Sequence, residues 1–360
     1  MARAHKKTSI EAYRKALLMV SPGTKIREGI SAIMQSGTGA LLCFGSPKKL
    51  AELSEAGVQL DAKMTPQMLY ELSKMDGAIL LNEDGSRVLY ANRFLKPDTS
   101  ISSEETGTRH RAAERMARQA KCVVIAVSQR RASVTLYVHD VRHRMDSIPT
   151  LMNKAQQAIH TLEKYVSVMR QELQELTMRE FQDIVTIFDV CRAIQRTEMV
   201  SRIAREIDPY VLELGTEGRL IELQVKELMQ PMEEAVLVIR DYFREKPDVG
   251  FDTICERIRE IPEQEILNLS SISQALGHGP NLRSVDTYLS ARGYRVLTGT
   301  HRISPQIIEN LVQRFGSLKQ LVRAPKDELC AVDGVGEVLA ERVRASLNML
   351  HNQLVWDERR

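Results

Sequence analysis

The feature that most constrains the fold is a change of hydrophobic pattern between residues 145 and 148. Before it, short apolar runs bounded by turn-forming residues are typical of strands, and they lie at 40–44, 78–81, 88–91, 123–127 and 134–138. The segments 82–86 and 130–132 are short enough to be hairpin loops. Since hairpins are mixed with helical segments, we predict an α/β domain whose mixed, mainly antiparallel sheet is flanked by helices. A plain Rossmann unit is disfavoured.

Beyond residue 148 the apolar residues recur at helical spacing. Steps of four and three residues predict a buried seam formed by Leu151, Ala155, Ala158, Leu162, Tyr165 and Met169. Further helical patterns run to residue 243, and Pro231 either kinks the last helix or begins a new one. We therefore predict three domains: the α/β domain over 1–147, an all-α helical-bundle spine over 148–284, and a small all-α domain over 285–360.

Composition excludes several classes of protein. A formal net charge of +3 over 360 residues is too small to argue for nucleic acid by itself. The five cysteines are scattered singly, which excludes a zinc ribbon and favours a reducing compartment. No apolar run approaches the roughly 20 residues that span a bilayer, and the polar amino terminus lacks the apolar core of a signal peptide. The expectation is a soluble, cytoplasmic protein without a membrane partner.

Two short stretches carry the candidate chemistry. Asp76-Gly77 precedes an apolar run, and the segment 108–111, Thr-Arg-His-Arg, begins an arginine-rich helical segment. An acidic group beside a glycine and a basic helix start are what a polyphosphate and its metal ion require. Either Thr106 or Thr108 could cap that helix. The pair of stretches therefore favours a nucleotide-handling enzyme.

Taken singly, each stretch has a plainer interpretation. An Asp-Gly pair is most often a simple turn, and Arg111, Arg115 and Arg118 can form a solvated helix face. Arg109 and Arg111 lie two positions apart, so they cannot share a helix face and one of them is expected in the loop. The chain contains no Gly-x-x-x-x-Gly-Lys-Ser/Thr loop and no dinucleotide fingerprint. Two common kinds of nucleotide site are thereby removed.

Taken together, the two stretches resemble a known family. Residues 74–79, Lys-Met-Asp-Gly-Ala-Ile, and 105–115, Glu-Thr-Gly-Thr-Arg-His-Arg-Ala-Ala-Glu-Arg, are similar to the two signature motifs of the diadenylate cyclase domain. The three-part order resembles the bacterial DNA integrity scanning proteins over nearly the whole chain. The resemblance implies condensation of two ATP molecules into cyclic di-AMP with release of two pyrophosphates, and Mg²⁺ or Mn²⁺ as the cofactor.

The resemblance also implies roles for individual residues. Asp76 would hold the metal and help to activate the ribose 3′-hydroxyl, and Arg109, His110 and Arg111 would stabilise the leaving pyrophosphate. The nucleotide would be bound by Gly77, Leu95, Thr108, Arg109, His110, Arg111, Ala112, Ser128 and Arg130. Each monomer would hold one ATP, so two sites must face each other in a homo-oligomer. The resemblance suggests an octamer.

The carboxyl-terminal domain carries a second motif. Gly334-Val335-Gly336 resembles the hairpin of a helix–hairpin–helix element, whose backbone N–H groups grip a phosphate. We expect Val332, Val335 and Leu339 to pack its two helices together. DNA phosphate contacts are expected from Gly334, Gly336, Arg342 and Arg344, and additional contacts are expected from Lys319, Arg323 and Lys326. Such contacts carry no base information, so the expected partner is branched DNA of any sequence. The plainer interpretation is a glycine turn between two core helices.

Two positions depart from the family pattern. Ala112 stands where a threonine often follows the Arg-His-Arg motif, and Gln129 stands where glutamate often follows the serine. The leading hypothesis is a DNA-responsive diadenylate cyclase. A DNA-scanning or scaffold protein with a vestigial nucleotide site is the second, and Gln129 is its best support. The third is another nucleotidyltransferase or an ATPase that uses the same residues.

Overall fold

The computed structural model describes residues 2–129, 133–244, 249–282, 288–299 and 303–357, with side chains described between residues 11 and 352. The chain divides into two compact units. The first unit comprises 1–157 and 207–223, and the second comprises 158–206 and 224–360. The boundaries of the three predicted domains stay a prediction. None of the helices in the described part of the chain is long and apolar enough to cross a membrane.

The first unit is built on an eight-stranded sheet. Its strands are β1 (Ala40–Phe44), β2 (Ser54–Glu55), β3 (Val58–Lys63), β4 (Ala78–Leu81), β5 (Arg87–Leu95), β6 (Val123–Ser128), β7 (Ser133–Val138) and β8 (Val141–Arg144). The strand order is β2-β5-β4-β1-β6-β7-β8, and β3 also pairs with β5. Strands β1 and β4 run parallel, and the other described pairs are antiparallel. The predicted mixed, mainly antiparallel sheet is therefore confirmed.

Helices cover both faces of this sheet. They are α1 (Ala2–Val20), α2 (Lys25–Gln35), α3 (Pro47–Glu52), α4 (Pro66–Leu72) and α5 (Thr108–Ala120). One core contains Leu17, Ile30 and Leu69 from α1, α2 and α4. The core on the other face contains Ala113 and Met116 from α5 together with strand residues. Two apolar cores around one sheet hold α5, and with it the basic stretch, in a fixed position over the strands.

Five strands lie where the apolar runs predict them, and the loop 82–86 joins β4 and β5 as a hairpin. Residues 130–132 lie outside the described residues, although β6 and β7 on either side of them pair antiparallel. Strands β2, β3 and β8 were missed. Strand β2 has only two residues, and β3 is exposed along almost its whole length. Such strands lack the buried apolar positions that sequence patterns detect.

The described part of the chain after β8 is mainly helical, as predicted. Its next elements are α6 (Ile148–Gln182), α7 (Ile187–Leu214), a 3₁₀ turn (Gly215–Gly218), α8 (Arg219–Leu228), α9 (Met232–Tyr242), α10 (Phe251–Arg259), α11 (Leu269–Ala275) and α12 (Tyr294–Thr298). Pro231 is the N-cap of α9, so it begins a new helix. In α6, Ile159 and Val166 are buried, whereas the predicted Ala158 and Tyr165 are only half-buried. The seam therefore passes through the next residue at these two positions, because steps of four and then three residues from Ala155 keep the same helix face toward the core.

The second unit ends in the predicted small all-α domain, formed by α13 (Pro305–Phe315), α14 (Leu318–Arg323), α15 (Lys326–Cys330) and α16 (Glu337–Asp357). A buried ionic cluster fixes α12 to its neighbours. The Asp241 carboxylate accepts the backbone N–H groups of Gly293, Tyr294 and Arg295 at 2.8, 2.7 and 3.1 Å. The Arg295 guanidinium donates to the buried Glu180 carboxylate at 2.5 Å. Because these charges are satisfied by one another, α12 has a single position against α6 and α9.

Candidate nucleotide site and DNA-binding hairpin

The first predicted stretch lies at one end of the central strands. Strands β1 and β4 begin at this end, and β6, which is antiparallel to β1, finishes there. Ala40 lies opposite Val127, so the preceding Gly39 is level with Ser128. Asp76 lies two residues before β4 at the same end. The sheet register therefore brings Asp76, Gly39 and Ser128 to one edge, although they are far apart in the sequence.

Asp76-Gly77 combines a structural turn with a free acidic group. Gly77 has φ +95°, and a Cβ there would lie 2.8 Å from the carbonyl oxygen of Arg93 in β5. A residue other than glycine would be strained and would collide with backbone. The Asp76 side chain is exposed and has no hydrogen bond or ion pair with the residues that the structure describes. Its carboxylate is therefore available to a ligand.

The basic stretch begins α5 in a way that differs from the prediction. The N-cap is Gly107, with φ −84° and ψ 137°, and no side chain caps the helix. The expected cap by Thr106 or Thr108 is wrong, because Thr108 already has helical geometry and Gly107 takes the extended cap position. Arg109 and Arg111 both lie in the helix, so the expectation that one belongs to the loop is also wrong. The first-turn N–H groups of such an uncapped helix attract an anion.

Arg109 extends over the beginning of β1. A Cβ on Gly39 would collide with Arg109 Nη1, and it would lie 3.3 Å from Arg109 Cζ and 3.1 Å from the carbonyl oxygen of Val127. The guanidinium therefore occupies the space that the missing side chain of Gly39 leaves. Gly39 is not among the residues that the sequence predicts for the site. The only signal in the sequence is a glycine immediately before a buried strand, and such a glycine is as typical of a simple turn as of a functional site.

Arg111 lies on another side of α5, at an open cavity. The cavity has a volume of about 530 Å³ and is lined by Leu95, Lys96, Pro97, Thr99, Thr108, Arg111, Ala112 and Arg115. Four of the predicted nucleotide-binding residues are thus together: Leu95, Thr108, Arg111 and Ala112. Three cationic side chains and no carboxylate line this space. Its charge suits a phosphate chain, and its apolar part suits a base or ribose.

The other arginines of α5 hold the preceding loop. Arg115 Nε donates to the Ile101 carbonyl at 2.8 Å, and Arg118 Nη1 donates to the Ser102 carbonyl at 2.5 Å. Arg118 also pairs with the buried Glu114 at 2.8 Å. For these two arginines the interpretation as a solvated face is wrong, because they are half-buried and bonded to backbone. They fix the loop that leads into the Arg-His-Arg stretch.

His110 faces the sheet. Its Nδ1 lies 2.9 Å from the hydroxyl of Tyr137 in β7, and that hydroxyl donates to Glu105 Oε1 at 2.6 Å. Arg142 Nε in β8 lies 2.8 Å from the same Glu105 oxygen. Burial raises the pKa of Tyr137 above its ordinary value, and the hydrogen bond to Glu105 raises it further. Tyr137 is therefore a neutral hydrogen-bonding group.

The remaining predicted positions lie at the end of β6. Ser128 is half-buried and Gln129 is exposed, while Arg130 lies outside the described residues. Within the described part of the chain, no group of three or more His, Cys, Asp or Glu side chains could hold a metal ion. The free carboxylate of Asp76 nevertheless fits Mg²⁺, which is commonly bound by one or two carboxylates together with substrate phosphates and water.

The glycine hairpin of the last domain exposes its backbone. Gly334 has φ +82°, and Val332 and Val335 are buried beneath the turn, as predicted. Over the described residues, the N–H groups of Gly334 and Gly336 have no acceptor. The predicted packing by Leu339 is wrong in part. That residue is half-buried, and the buried residues in the described part of α16 are Ala340, Val343 and Leu347, which the helical period places toward α14 and α15.

The cations around this hairpin differ in their availability. Arg342 and Arg344 are exposed on α16. Lys326 lies 3.6 Å from both Glu337 and Glu341. Lys319 pairs with Asp183. Two of the additional cations predicted to contact phosphate are therefore already paired with carboxylates.

Comparison with known proteins gives matches along almost the whole chain. Residues 27–141 match the model described as DisA bacterial checkpoint controller nucleotide-binding, and residues 145–285 match that of the DisA bacterial checkpoint controller linker region. Residues 297–355 match a helix-hairpin-helix motif. The DNA integrity scanning protein DisA of Carboxydothermus hydrogenoformans is 45% identical over 339 residues, 94% of this chain and 96% of that protein. Its counterpart in Clostridium perfringens strain SM101 is 43% identical over 350 residues, 97% of this chain and 98% of that protein.

These matches confirm the predicted class. The chain is a diadenylate cyclase with an amino-terminal nucleotide-binding domain and a carboxyl-terminal helix–hairpin–helix domain. More particularly, it belongs to the DNA integrity scanning protein DisA family.

Proposed function

We propose that this diadenylate cyclase joins two ATP molecules in a site shared by two copies of the chain, and that DNA bound at the glycine hairpin regulates the reaction. One observation carries the catalytic part. Asp76, the Arg109 guanidinium over Gly39, and Ser128 share one edge of the sheet, and that edge adjoins an uncapped, basic helix start. An acidic and a basic group are thereby brought to one edge of the sheet.

The proposed roles follow from charge and position. Asp76 would hold a divalent metal, and its carboxylate would accept a hydrogen bond from the attacking 3′-hydroxyl. Bound Mg²⁺ or Mn²⁺ would neutralise phosphate charge. Arg109, His110 and Arg111 stabilise the charge that develops on pyrophosphate. The nucleotide contacts are assigned to Gly77, Leu95, Thr108, Ala112, Ser128 and Arg130.

The reaction is an in-line phosphoryl transfer carried out twice. Each 3′-oxygen forms a bond to the α-phosphorus of the other nucleotide, the α–β bridging bond breaks, and pyrophosphate leaves with the bonding electron pair. The hydroxyl proton passes to solvent or to a carboxylate. Most of the rate acceleration in such a reaction comes from positioning and charge stabilisation. That requirement is met by fixed cations and does not need a covalent intermediate.

The paired site requires an oligomer. A monomer that holds one ATP cannot supply the second nucleotide, so two nucleotide domains must face each other across a symmetric interface. We propose the octamer that the family resemblance implies. Dilution below the dissociation constant of the assembly then abolishes activity, since the isolated chain has only half of the site.

The DNA site is proposed at Gly334 and Gly336, with Arg342 and Arg344 beside them. Two backbone N–H groups without acceptors form a cradle for a phosphate, and this supports binding to the DNA backbone. Such contacts respond to DNA shape and weaken with salt. Because the neighbouring lysines are paired, one hairpin binds weakly, and several hairpins of an oligomer on branched DNA would bind more tightly.

The test is product identification. The full chain is incubated with ATP and Mg²⁺ or Mn²⁺, with and without a four-way DNA junction, and products are identified by mass. We expect cyclic di-AMP and pyrophosphate, and a junction-dependent change of rate. Absence of any cyclic dinucleotide with both metals would contradict the proposed catalytic site and favour a vestigial one. ADP as the sole product would favour an ATPase.

A further inference from the structure

We propose that Tyr137 and Glu105 are positioning residues that fix the ring of His110, so that its Nε2 atom is the one presented to the phosphates. This inference rests on the proposed function, since it assumes that His110 contacts the nucleotide. Tyr137 lies in β7 and Glu105 lies in the loop before α5. Neither is among the residues that the two sequence motifs propose as ligands of the nucleotide or the metal. Neither residue needs to touch the substrate.

The direction of the hydrogen bonds follows from the number of protons. Tyr137 has a single hydroxyl proton, and it donates that proton to Glu105 Oε1 at 2.6 Å. A carboxylate can only accept. The hydroxyl oxygen must therefore act as the acceptor for His110 Nδ1, which lies 2.9 Å away. The network thus assigns a proton to Nδ1, and in the neutral ring Nε2 is the unprotonated atom.

The network is held rigidly. Tyr137 is 1% exposed, and the Glu105 side chain is 8% exposed. Arg142 Nε lies 2.8 Å from Glu105 Oε1 and holds that carboxylate in place. Buried networks of this kind are stable only when each member is satisfied, so they hold one arrangement. The ring of His110 therefore has little freedom to flip.

The other edge of the ring lies toward the start of α5. His110 Cδ2, the carbon bonded to Nε2, lies 3.8 Å from the position that a Cβ on Gly107 would occupy. Gly107 is the N-cap of that uncapped helix, where an anion is expected to bind. The Nδ1 edge is thus committed to Tyr137, and the Nε2 edge adjoins the proposed phosphate position. When protonated, Nε2 would donate a hydrogen bond to a phosphate oxygen while Nδ1 keeps its bond to Tyr137.

Amide variants of His110 test which nitrogen is used. The amide nitrogen of glutamine reaches approximately the position of ring Nε2, whereas that of asparagine reaches the position of Nδ1. We expect His110→Gln to retain about tenfold more kcat/KM for ATP than His110→Asn, the size of one hydrogen bond. Equal activities, or more activity in His110→Asn, would overturn the assignment of Nε2.

A double-mutant cycle tests whether Tyr137 acts through His110. Tyr137→Phe keeps the buried ring and should lower kcat/KM about tenfold. In a His110→Gln background the same change should have an effect below about twofold, because the bond it removes is already absent. Glu105→Gln, which keeps an acceptor, should retain more activity than Glu105→Ala. An equal loss from Tyr137→Phe in both backgrounds would show a merely structural role.

The matched control is Tyr242→Phe. Tyr242 is also buried and donates to a carboxylate, that of Glu180, at 2.8 Å, but it lies in the second unit. It should leave the ATP kinetics unchanged, and a comparable loss of kcat/KM from this variant would overturn the proposal. If the wild-type chain makes cyclic di-AMP and the cycle shows no coupling, the inference about Tyr137 fails while the proposed function stands. If the wild-type chain makes no cyclic dinucleotide, the proposed function itself fails.

Discussion

Two helix starts in this chain are proposed to bind phosphate, and they are built differently. The start of α5 has no acidic residue in its first turn and presents Arg109 and Arg111. The start of α16 has Glu337 in its first turn and follows two glycines with unpaired N–H groups. The first therefore relies on charged side chains, and the second relies on backbone.

The difference indicates what each site is suited to hold. An acidic residue at a helix start stabilises the helix through its dipole but repels a phosphate. At the α16 site, Glu337 repels phosphate while the backbone N–H groups attract it. The site is therefore suited to weak binding of the DNA backbone, repeated at several hairpins of an oligomer. At the α5 site, His110 is hydrogen-bonded to Tyr137, Arg115 donates to a loop carbonyl, and the Arg109 guanidinium lies in the space that Gly39 leaves. Such preorganisation suits one triphosphate held for chemistry.

The most severe way to break the α5 site is Asp76→Asn. The change removes one negative charge from an exposed, unpaired side chain, so the fold and the oligomer should be unaffected. Because the amide is a poor ligand for Mg²⁺ and a poor acceptor for the attacking hydroxyl, we expect kcat to fall by about three orders of magnitude. The rate of cyclic di-AMP formation and the mass of the assembly in solution measure these two outcomes.

The matched control is Asp84→Asn, which removes the same charge from the hairpin after β4, at the other end of that strand. It should retain full activity. Retention of activity by Asp76→Asn, or an equal loss in both variants, would refute the role of Asp76.

The second prediction concerns the space at Gly39. Gly39→Ala places a methyl group where the Arg109 guanidinium, the far end of a flexible side chain, now lies, and 3.1 Å from the backbone carbonyl oxygen of Val127. The cost in folding stability should be small, but kcat/KM should fall by roughly 50-fold, the value of a charge-assisted contact to phosphate. Steady-state kinetics and thermal unfolding separate the two effects.

Gly250→Ala is the control for this substitution. Among the described residues, no heavy atom apart from Gly250 and its two chain neighbours lies within 4 Å of its ideal Cβ position. Gly250→Ala should therefore change neither kcat/KM nor the thermal unfolding of the protein. If Gly39→Ala is equally neutral, Arg109 is free to act from another position, and the contact over β1 is not part of the site.

Much of the fold follows from local patterns, and the site follows only in part. The runs of β1, β4, β6 and β7 predict strands because nearly all of their residues are buried and most of them are apolar. The contact between Arg109 and Gly39 could not be predicted, because it depends on the register that sets β1 beside β6. The bond between His110 and Tyr137 joins residues 27 positions apart and depends on how α5 lies over β7.

The helix start shows why local chemistry can also mislead. Two threonines flank Gly107, and threonine is a good N-cap. The helix instead begins after the glycine, because the loop before it is fixed by Arg115 and Arg118 bonding to Ile101 and Ser102. The start of α5 thus depends on tertiary contacts of the preceding loop, and the N-cap preference of the neighbouring threonines does not determine it.

The third prediction breaks the α16 site. Gly336→Val adds a branched side chain beside the N–H groups of Gly334 and Gly336, and within the described part of the chain no heavy atom apart from Gly336 and its two neighbours lies within 4 Å of its ideal Cβ position. Loss of binding therefore reports on the approach of DNA. We expect about tenfold weaker binding to a four-way junction and unchanged basal cyclase activity. Gly334→Val is a less suitable variant, because φ +82° and Ile307 Cγ1 at 3.2 Å make it strained in the free protein.

The control is Gly250→Val, the same substitution at the N-cap of α10, where the Cβ position is equally open. Junction binding by this variant should match the wild type. Undiminished binding by Gly336→Val would return the hairpin to a simple turn between two core helices.

The smallest effect is expected from a double substitution that makes the α16 site more like the α5 site by freeing a cationic side chain. Glu337→Gln combined with Glu341→Gln releases Lys326 from two carboxylates 3.6 Å away. The freed ammonium group can then neutralise a DNA phosphate. We expect junction affinity to rise about threefold at low salt, and the slope of log K against log salt to steepen by about one phosphate contact. Binding titrations across a salt series measure both quantities.

Removal of negative charge alone would also favour DNA, so the control must match the change of net charge. Asp327→Asn combined with Glu328→Gln removes two carboxylates from the first turn of α15 and leaves the two partners of Lys326 in place. Its salt slope should stay close to that of the wild type. If both double variants steepen the slope equally, the gain comes from the general charge of the domain, and the ion pairs of Lys326 do not restrain the hairpin. If only the Glu337→Gln, Glu341→Gln variant steepens the slope, the pairing of Lys326 with these carboxylates is what weakens the binding of each hairpin to DNA.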